Sequence, residues 1–352
     1  MDFSADIINW YKKNKRDLPW RNTNNPYYIW LSEIILQQTR VEQGMSYYFA
    51  FTEKYPEIRD LANAKSDEVM KTWQGLGYYS RARNLHATAK FICENLDGNF
   101  PTNYKSLIAL KGIGPYTAAA IASFAFNERV AVVDGNVYRL LSRYFGISTP
   151  IDSTIGKNEF LKLANSLITK KNPGTFNQAI MEFGALQCKP KNPECFNCTL
   201  QHSCKAFGEN KIAELPVKSK KTKIKVRHFT YFIISDKNNS IYIRKRYEND
   251  IWKELYEFPL LESVFKNTND EIELFLENKL KLNSFSILHH SSTFKHILSH
   301  QHLFAEFIHI SIKNTLKFNK EYIKIQQEEL NDYALPRLIE KYIKEKSELP
   351  HE

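Results

Sequence analysis

From residue 4 to about residue 205, apolar positions recur three and four residues apart in stretches separated by short polar turns, and Val- or Thr-rich runs of period two are almost absent. The pattern predicts a first region of successive amphipathic helices. It stops at residues 211–227, KIAELPVKSKKTKIKVR, a Lys-rich stretch with a proline and no apolar period, which reads as an interdomain linker. Beyond it FTYFIIS, SIYIRKR and LFAEFIHISI carry β-branched and aromatic residues in partial alternation, interleaved with helical stretches at 270–281 and 335–346. A separate α+β domain is predicted there. The longest apolar run, residues 116–126, falls short of the roughly 18 residues that cross a bilayer, so no membrane helix is expected.

Composition adds bounds to this layout. With 352 residues, 43% of them hydrophobic, the chain has material for two or three domains with their own cores, and its 12 Gly and 13 Pro exclude a fibrous repeat. The N-terminus mixes charge with an amphipathic period and lacks a signal-peptide core, so a cytoplasmic, reducing setting is expected. Lys and Arg outnumber Asp and Glu by 49 to 39, a formal charge of +10, which makes a polyanion the natural partner. Four of the five cysteines, Cys188, Cys195, Cys198 and Cys204, fall in one short stretch with the spacing Cys-x6-Cys-x2-Cys-x5-Cys. Such crowding suits a metal centre rather than a disulfide framework in a reducing compartment. A structural zinc usually takes two Cys-x2-Cys knuckles and only one is present, so the spacing favours an iron–sulfur cluster over zinc.

Three segments could carry chemistry. In YYIWLSEIILQQTR, Glu33 sits among Ile29, Trp30, Ile34 and Ile35. Burial there would raise its pKa and make it a proton donor, whereas on the solvent face it would be an ordinary surface acid. In LKGIGPYTAAAIASFAF, Gly112 and Gly114 open a long Ala-rich helix, and their backbone N–H groups could face a phosphate; a plain helix–helix turn is the alternative. In RVAVVDGNVYRLLSRYF, Asp134 precedes a helix and is first of all an N-cap, followed by Gly135 and Asn136.

Taken in order, LSEIILQQTRV, LKGIGPYTAAAIASFAF, VVDGNVYRLLSRYF, FNQAIMEFGALQC and the cysteine pattern resemble the helix-hairpin-helix DNA glycosylases, and within them the adenine DNA glycosylases, over residues 1–207. Endonuclease III shares that fold, but its Schiff-base Lys, two positions after the second hairpin glycine, is Tyr116 here. Residues 228–352 resemble the Nudix-like (MutT-like) domain of adenine glycosylases, with 208–227 as the linker. HILSHQHL there is similar to an oxoguanine-reading Phe-Ser-His motif in which Leu298 replaces Phe while Ser299 and His300 match. No Nudix hydrolase box with its Glu cluster is visible.

The resemblance implies a mainly α, two-lobed glycosylase fold with a [4Fe-4S] cluster on the four cysteines, followed by the α+β domain. It implies a monomeric, monofunctional enzyme that removes adenine opposite 8-oxoguanine or guanine in double-stranded DNA. Glu33 would be the acid, Asp134 the stabilising carboxylate, and Tyr116 and Asn136 their orienting partners. Gln38 and Tyr78 would wedge into the base stack. Arg21 and Arg40 would lie near the DNA or the pocket, Lys111 would add charge to the hairpin, and Ser299 and His300 would read the lesion. An endonuclease III-like glycosylase/lyase and a DNA-binding scaffold without catalysis are the competing readings.

Overall fold

The computed structural model describes residues 2–219, 224–313 and 321–347. The chain packs as two units, one of Met1–Asn63 with Asn84–Lys221 and one of Ala64–Arg83 with Thr222–Glu352.

The first unit is helical, and its sequence sets the helix ends. Asn25 caps Pro26–Leu36 through the Tyr27 N–H with proline in the first turn, Ser153 caps Thr154–Leu167 through the Gly156 N–H, and Asn127 (φ 54°) and Gly146 (φ 67°) close two helices in the left-handed conformation. The helix Pro115–Phe126 is apolar on nearly every side and is correspondingly enclosed, with residues 117–123 all buried. One core gathers Ile7 and Trp10 of Phe3–Asn14, Leu141 of Gly135–Phe145, Phe160 of Thr154–Leu167, and Phe176 and Phe183 of Pro173–Leu186. At Gly184 the backbone passes so close that a Cβ would stand 2.7 Å from the Asn136 carbonyl oxygen. That approach joins the last core helix to the segment bearing Asp134.

The second unit is built on one eight-stranded sheet in the order β3-β2-β1-β7-β5, with β4 on β1, β6 on β7 and β8 on β2. The strands are β1 (Lys225–Asp236), β2 (Ser240–Lys245), β3 (Tyr256–Glu257), β4 (Leu260–Ser263), β5 (Ser286–His290), β6 (Phe294–Ile297), β7 (Gln301–Ile312) and β8 (Tyr322–Gln326). The β1–β7 pair is parallel over its full length, from Lys225 opposite Gln301 to Asp236 opposite Ile312. One face carries the core of Phe232, Ile234, Ile308 and Ile310 against Ile272 and Leu276. Tyr342 of the helix Arg337–Ser347 stacks on Phe307 at 3.8 Å and 4°.

Two details depart from the expected elements. Strand β1 begins inside the stretch read as linker, because Lys225, Val226 and Arg227 extend the ladder on β7 and Arg227 is buried against Asp250 and Glu262. The helix expected at 270–281 is shorter, Asn269–Leu274, and passes into a π-helical turn at Phe275–Lys279. Among the described residues no helix is long and apolar enough to cross a membrane.

Segment 64–83 is held to the sheet residues by side chains. Ser66 donates to Glu254 at 3.0 Å, Arg83 to the Lys253 carbonyl at 2.8 Å and Lys71 to the Tyr333 carbonyl at 3.2 Å, while Asp67 accepts from Tyr256 at 2.9 Å and pairs with Lys245.

Candidate active site

A cavity of about 520 Å³ opens in the helical unit, within the roughly 300–1,000 Å³ range of small-molecule sites. Glu33, Tyr116, Asp134, Asn136, Arg21 and Arg40 all line it. Residues from Arg16 to Pro190 therefore meet at one place, which their spacing along the chain does not reveal.

Glu33 is 8% exposed on the helix Pro26–Leu36, so it is not a surface acid. Tyr116 donates its hydroxyl to Glu33 Oε2 at 2.6 Å. Burial pushes the Glu33 carboxyl up to about 7, the Tyr116 hydrogen bond opposing this and the neighbouring Asp134 charge adding to it. The Tyr116 hydroxyl is itself driven well above its ordinary range by burial, so it stays a neutral donor. With Oε2 occupied, Oε1 is the oxygen left to carry and deliver a proton.

Asp134 is both cap and cavity wall. Its Oδ1 accepts the backbone N–H groups of Asn136 (2.9 Å) and Val137 (2.8 Å) at the start of the helix Gly135–Phe145, and its Oδ2 accepts the Asn136 side-chain amide at 2.7 Å. Burial raises its pKa, and these three hydrogen bonds pull it back toward the ionised form. Arg139 carries the arrangement outward, donating to Asn136 Oδ1 at 2.9 Å, to the Gly184 carbonyl at 2.6 Å and to the Cys188 carbonyl at 2.8 Å.

A third carboxylate escaped the sequence reading. Glu182, 1% exposed, accepts from Arg16 through Nε (2.9 Å) and Nη2 (2.7 Å), and from Arg21 through Nη1 (2.9 Å) and Nη2 (2.7 Å). Burial alone would raise its pKa, but these hydrogen bonds hold it down at about 2. Arg21 also lies over the Tyr11 ring, and Tyr11 donates to Gln178 Oε1 at 2.9 Å, so the Gln178 carbonyl is engaged at a residue that lines the cavity. Glu182 sits in an apolar helix, FNQAIMEFGAL, as Glu33 does, and that placement is the local signal of a buried acid.

The remaining candidates fall elsewhere. Gln38 and Tyr78 are exposed and both take positive φ, 56° and 48°, where side chains are seldom held without a reason. Lys111, Gly112 and Gly114 form the exposed turn between the helices Tyr104–Ile108 and Pro115–Phe126. Gly112 has φ 89°, and a Cβ there would crowd Thr88 Oγ1 at 3.0 Å, the hydroxyl that donates to the Lys111 carbonyl at 2.5 Å. In the second unit Ser299 and His300 are exposed in the tight turn between β6 and β7, and Ser299 Oγ lies 2.6 Å from Tyr78 Oη. Two residues of unrelated expected roles are thus hydrogen-bonded.

The four cysteines line one further pocket with Leu140, Phe183, Leu200 and Arg143. Backbone N–H groups of Leu200 and of Ala206 and Phe207 point at the Cys198 and Cys204 sulfurs, and burial pushes the Cys198 thiol up to about 11. Among the described residues no three His, Cys, Asp or Glu side chains are arranged about a single-ion site.

The hairpin, the buried carboxylates and the helical unit around them define a base-excision DNA repair protein. The family model for the HhH-GPD superfamily of such proteins matches residues 31–165, and a NUDIX domain model matches 230–345. A solved thermostable thymine-DNA glycosylase is 31% identical, with a TM-score of 0.55, covering 59% of this chain and 95% of that one. Endonuclease III in a DNA complex shares the fold, with a TM-score of 0.52 at 22% identity over 59% of this chain and 94% of that one. Adenine DNA glycosylases of two Buchnera aphidicola subspecies extend the likeness over both regions. That of Baizongia pistaciae is 37% identical, covering 90% of this chain and 88% of that protein, and that of Schizaphis graminum is 35% identical, covering 97% of each. The mouse adenine DNA glycosylase is 42% identical over 58% of this chain and 42% of its own length. The chain belongs to the adenine DNA glycosylase family, and the fold expected from its motifs, a helical glycosylase region followed by a Nudix-like domain, is borne out.

Proposed function

We propose that this enzyme excises adenine paired with 8-oxoguanine, or with guanine, from double-stranded DNA, by hydrolysis and without cutting the strand. The observation that carries the reading is Glu33, a carboxyl buried beside Tyr116 with a pKa pushed up to about 7, which is where a general acid works best near neutral pH. The adenine is flipped out of the helix into the cavity, where Glu33 Oε1 gives its proton to a ring nitrogen. The C1′–N9 bond breaks with its electron pair leaving on adenine, and the sugar acquires oxocarbenium character that the Asp134 carboxylate stabilises. Water then adds to C1′ and loses a proton, leaving an abasic site. Asn136 fixes Asp134 Oδ2, and the Glu182 group with Arg16 and Arg21 gives a rigid charged wall against which the base is aligned.

Outside the cavity, the Lys111–Gly114 turn holds a phosphate, Gln38 and Tyr78 enter the base stack, and Ser299 and His300 meet the base opposite the adenine. Cys188, Cys195, Cys198 and Cys204 hold a [4Fe-4S] cluster. One compact loop supplies four thiolates to a single apolar pocket, and N–H groups directed at two of the sulfurs are the donors that such ligands use. The cluster's contribution when bound is to fold and rigidify the loop; the bond-breaking steps belong to the side chains of the cavity.

Single-turnover assays on duplexes with adenine opposite 8-oxoguanine, thymine opposite guanine, and thymine glycol test this. Adenine release without strand cleavage or borohydride trapping is expected. Release of either thymine base with adenine left intact, or trapping that tracks release, contradicts it.

A further inference from the structure

Arg143 lies near the end of the helix Gly135–Phe145 and is 3% exposed. Like Arg139, and unlike Arg227 and Arg246, it has only neutral oxygens and a sulfur as hydrogen-bond partners. Arg227 and Arg246 rest on carboxylates. The Arg143 guanidinium instead donates through Nε to the Leu215 carbonyl (3.0 Å), through Nη1 to the Lys189 carbonyl (2.8 Å) and through Nη2 to the Pro190 carbonyl (3.1 Å), with Nη1 also 3.5 Å from Cys188 Sγ. Each of these partners is a neutral carbonyl or a cysteine sulfur. A guanidinium does not shed its proton, so a full positive charge is buried there. Burying an ion without an opposite charge is unfavourable.

The pocket that Arg143 lines holds the four cysteines and no carboxylate. Four thiolates on a [4Fe-4S] core carry net negative charge, and Cys188 is the ligand that Arg143 touches. We propose that Arg143 is the counter-charge of the cluster, a positioning residue that retains the cluster in the protein and raises its reduction potential. The inference rests on the reading of the four cysteines as cluster ligands. Its three carbonyl contacts close the loop on both sides, at Lys189 and Pro190 just after the first cysteine and at Leu215 beyond the last. Reduction adds one electron, and so one more negative charge, to the cluster. The guanidinium charge and its N–H on the Cys188 sulfur both favour that reduced form.

The test uses the full-length chain purified anaerobically as wild type, Arg143→Gln and Arg143→Lys, with iron content, midpoint potential and rate of iron loss to a chelator as readouts. Arg143→Gln should raise the oxidised-to-reduced ratio at the wild-type midpoint about tenfold, a shift of about 59 mV to more negative potential for one electron. Arg143→Lys keeps the charge and should shift less. Iron should be lost fastest from Arg143→Gln, then Arg143→Lys, then wild type. If Arg143→Gln emerges without iron, retention by Arg143→Lys supports the proposal, and equal loss from both variants overturns it. A wild-type potential and chelator rate in Arg143→Gln, or an Arg143→Lys shift as large as that of Arg143→Gln, also overturns it. Wild-type protein without iron refutes the cluster reading itself, a failure distinct from that of Arg143.

Discussion

Glu33 in the helical unit and Glu257 in the sheet unit are both buried, 8% and 0% exposed, and burial raises the pKa of each, but the groups bonded to their oxygens differ. Glu257 receives Arg244 at 2.9 Å and Arg246 at 2.8 Å, and Arg246 in turn reaches Asp250. Burial raises the Glu257 pKa, and the guanidiniums of Arg246 and Arg244 on its oxygens pull it back toward the ionised form. Glu33 has a neutral phenol as its hydrogen-bond donor, while the nearby Arg21 is committed to Glu182. Burial with cations makes a structural ion pair, and burial without them makes an acid. Glu182 shows the first outcome inside the cavity itself, so the distinction is set residue by residue.

One isosteric substitution breaks this comparison in the two units. Glu33→Gln should lower single-turnover adenine release by about 10²–10⁴-fold while leaving duplex binding nearly unchanged, since its work is done in the transition state. Glu257→Gln should leave two arginines facing a neutral amide and destabilise the sheet unit by about 3–5 kcal/mol in urea unfolding. Glu33→Gln should have the opposite effect on stability. The Glu33 pKa is raised from 4.5 to about 7, so the folded chain holds this proton more tightly than the unfolded chain does. Its stability is full below the unfolded value and declines as pH rises through about 7. Removing the ionisable group should therefore stabilise the protein above pH 7 by up to about 3 kcal/mol and have little effect in acid. Equal and same-signed changes for the two glutamates would dissolve the distinction.

Smaller effects sharpen it. Gly184→Ala places a methyl 2.7 Å from the Asn136 carbonyl and 2.9 Å from the Asn136 Cβ, so the backbone beside Asp134 must move. A loss of about 1–3 kcal/mol in stability is expected, with a fall of about 10²-fold in adenine release. Ser299→Ala should reduce the preference for 8-oxoguanine over guanine opposite adenine by about 1 kcal/mol, roughly fivefold, with the unfolding midpoint unchanged. Equal losses on both duplexes would mean that Ser299 serves only its bond to Tyr78.

Much of this arrangement was legible in the residues. The helical period, the hairpin glycines, Glu33 in its apolar helix and the capping Asp134 are local signals, and each lies where its segment predicted. Asp134 caps its helix through Oδ1, while its Oδ2, on the cavity wall, accepts only the Asn136 side-chain amide among the described contacts. The missing parts depend on contacts distant in sequence. Glu182 acquires its meaning from Arg16 and Arg21, more than 160 residues away. Segment 64–83 packs with strands that begin at residue 225, and nothing within SDEVMKTWQGLGYYSRAR announces that. The strands β5 and β6 are short and His-rich, SILHH and FKHI, and gain their conformation from pairing with β7. The start of β1 reads as linker because Lys225 is solvated, although Arg227 is buried and pairs with Glu262 and Asp250.

The proposed excision requires Glu33 to act as a protonated acid. Its most direct test is the pH dependence of single-turnover adenine release opposite 8-oxoguanine, under conditions where all DNA is bound. The rate should fall about tenfold per pH unit above a midpoint near 7, following loss of the Glu33 proton. The residual activity of Glu33→Gln should lack that limb. A wild-type rate that stays level well above that midpoint, or a Glu33→Gln profile with the same limb, would contradict the assignment.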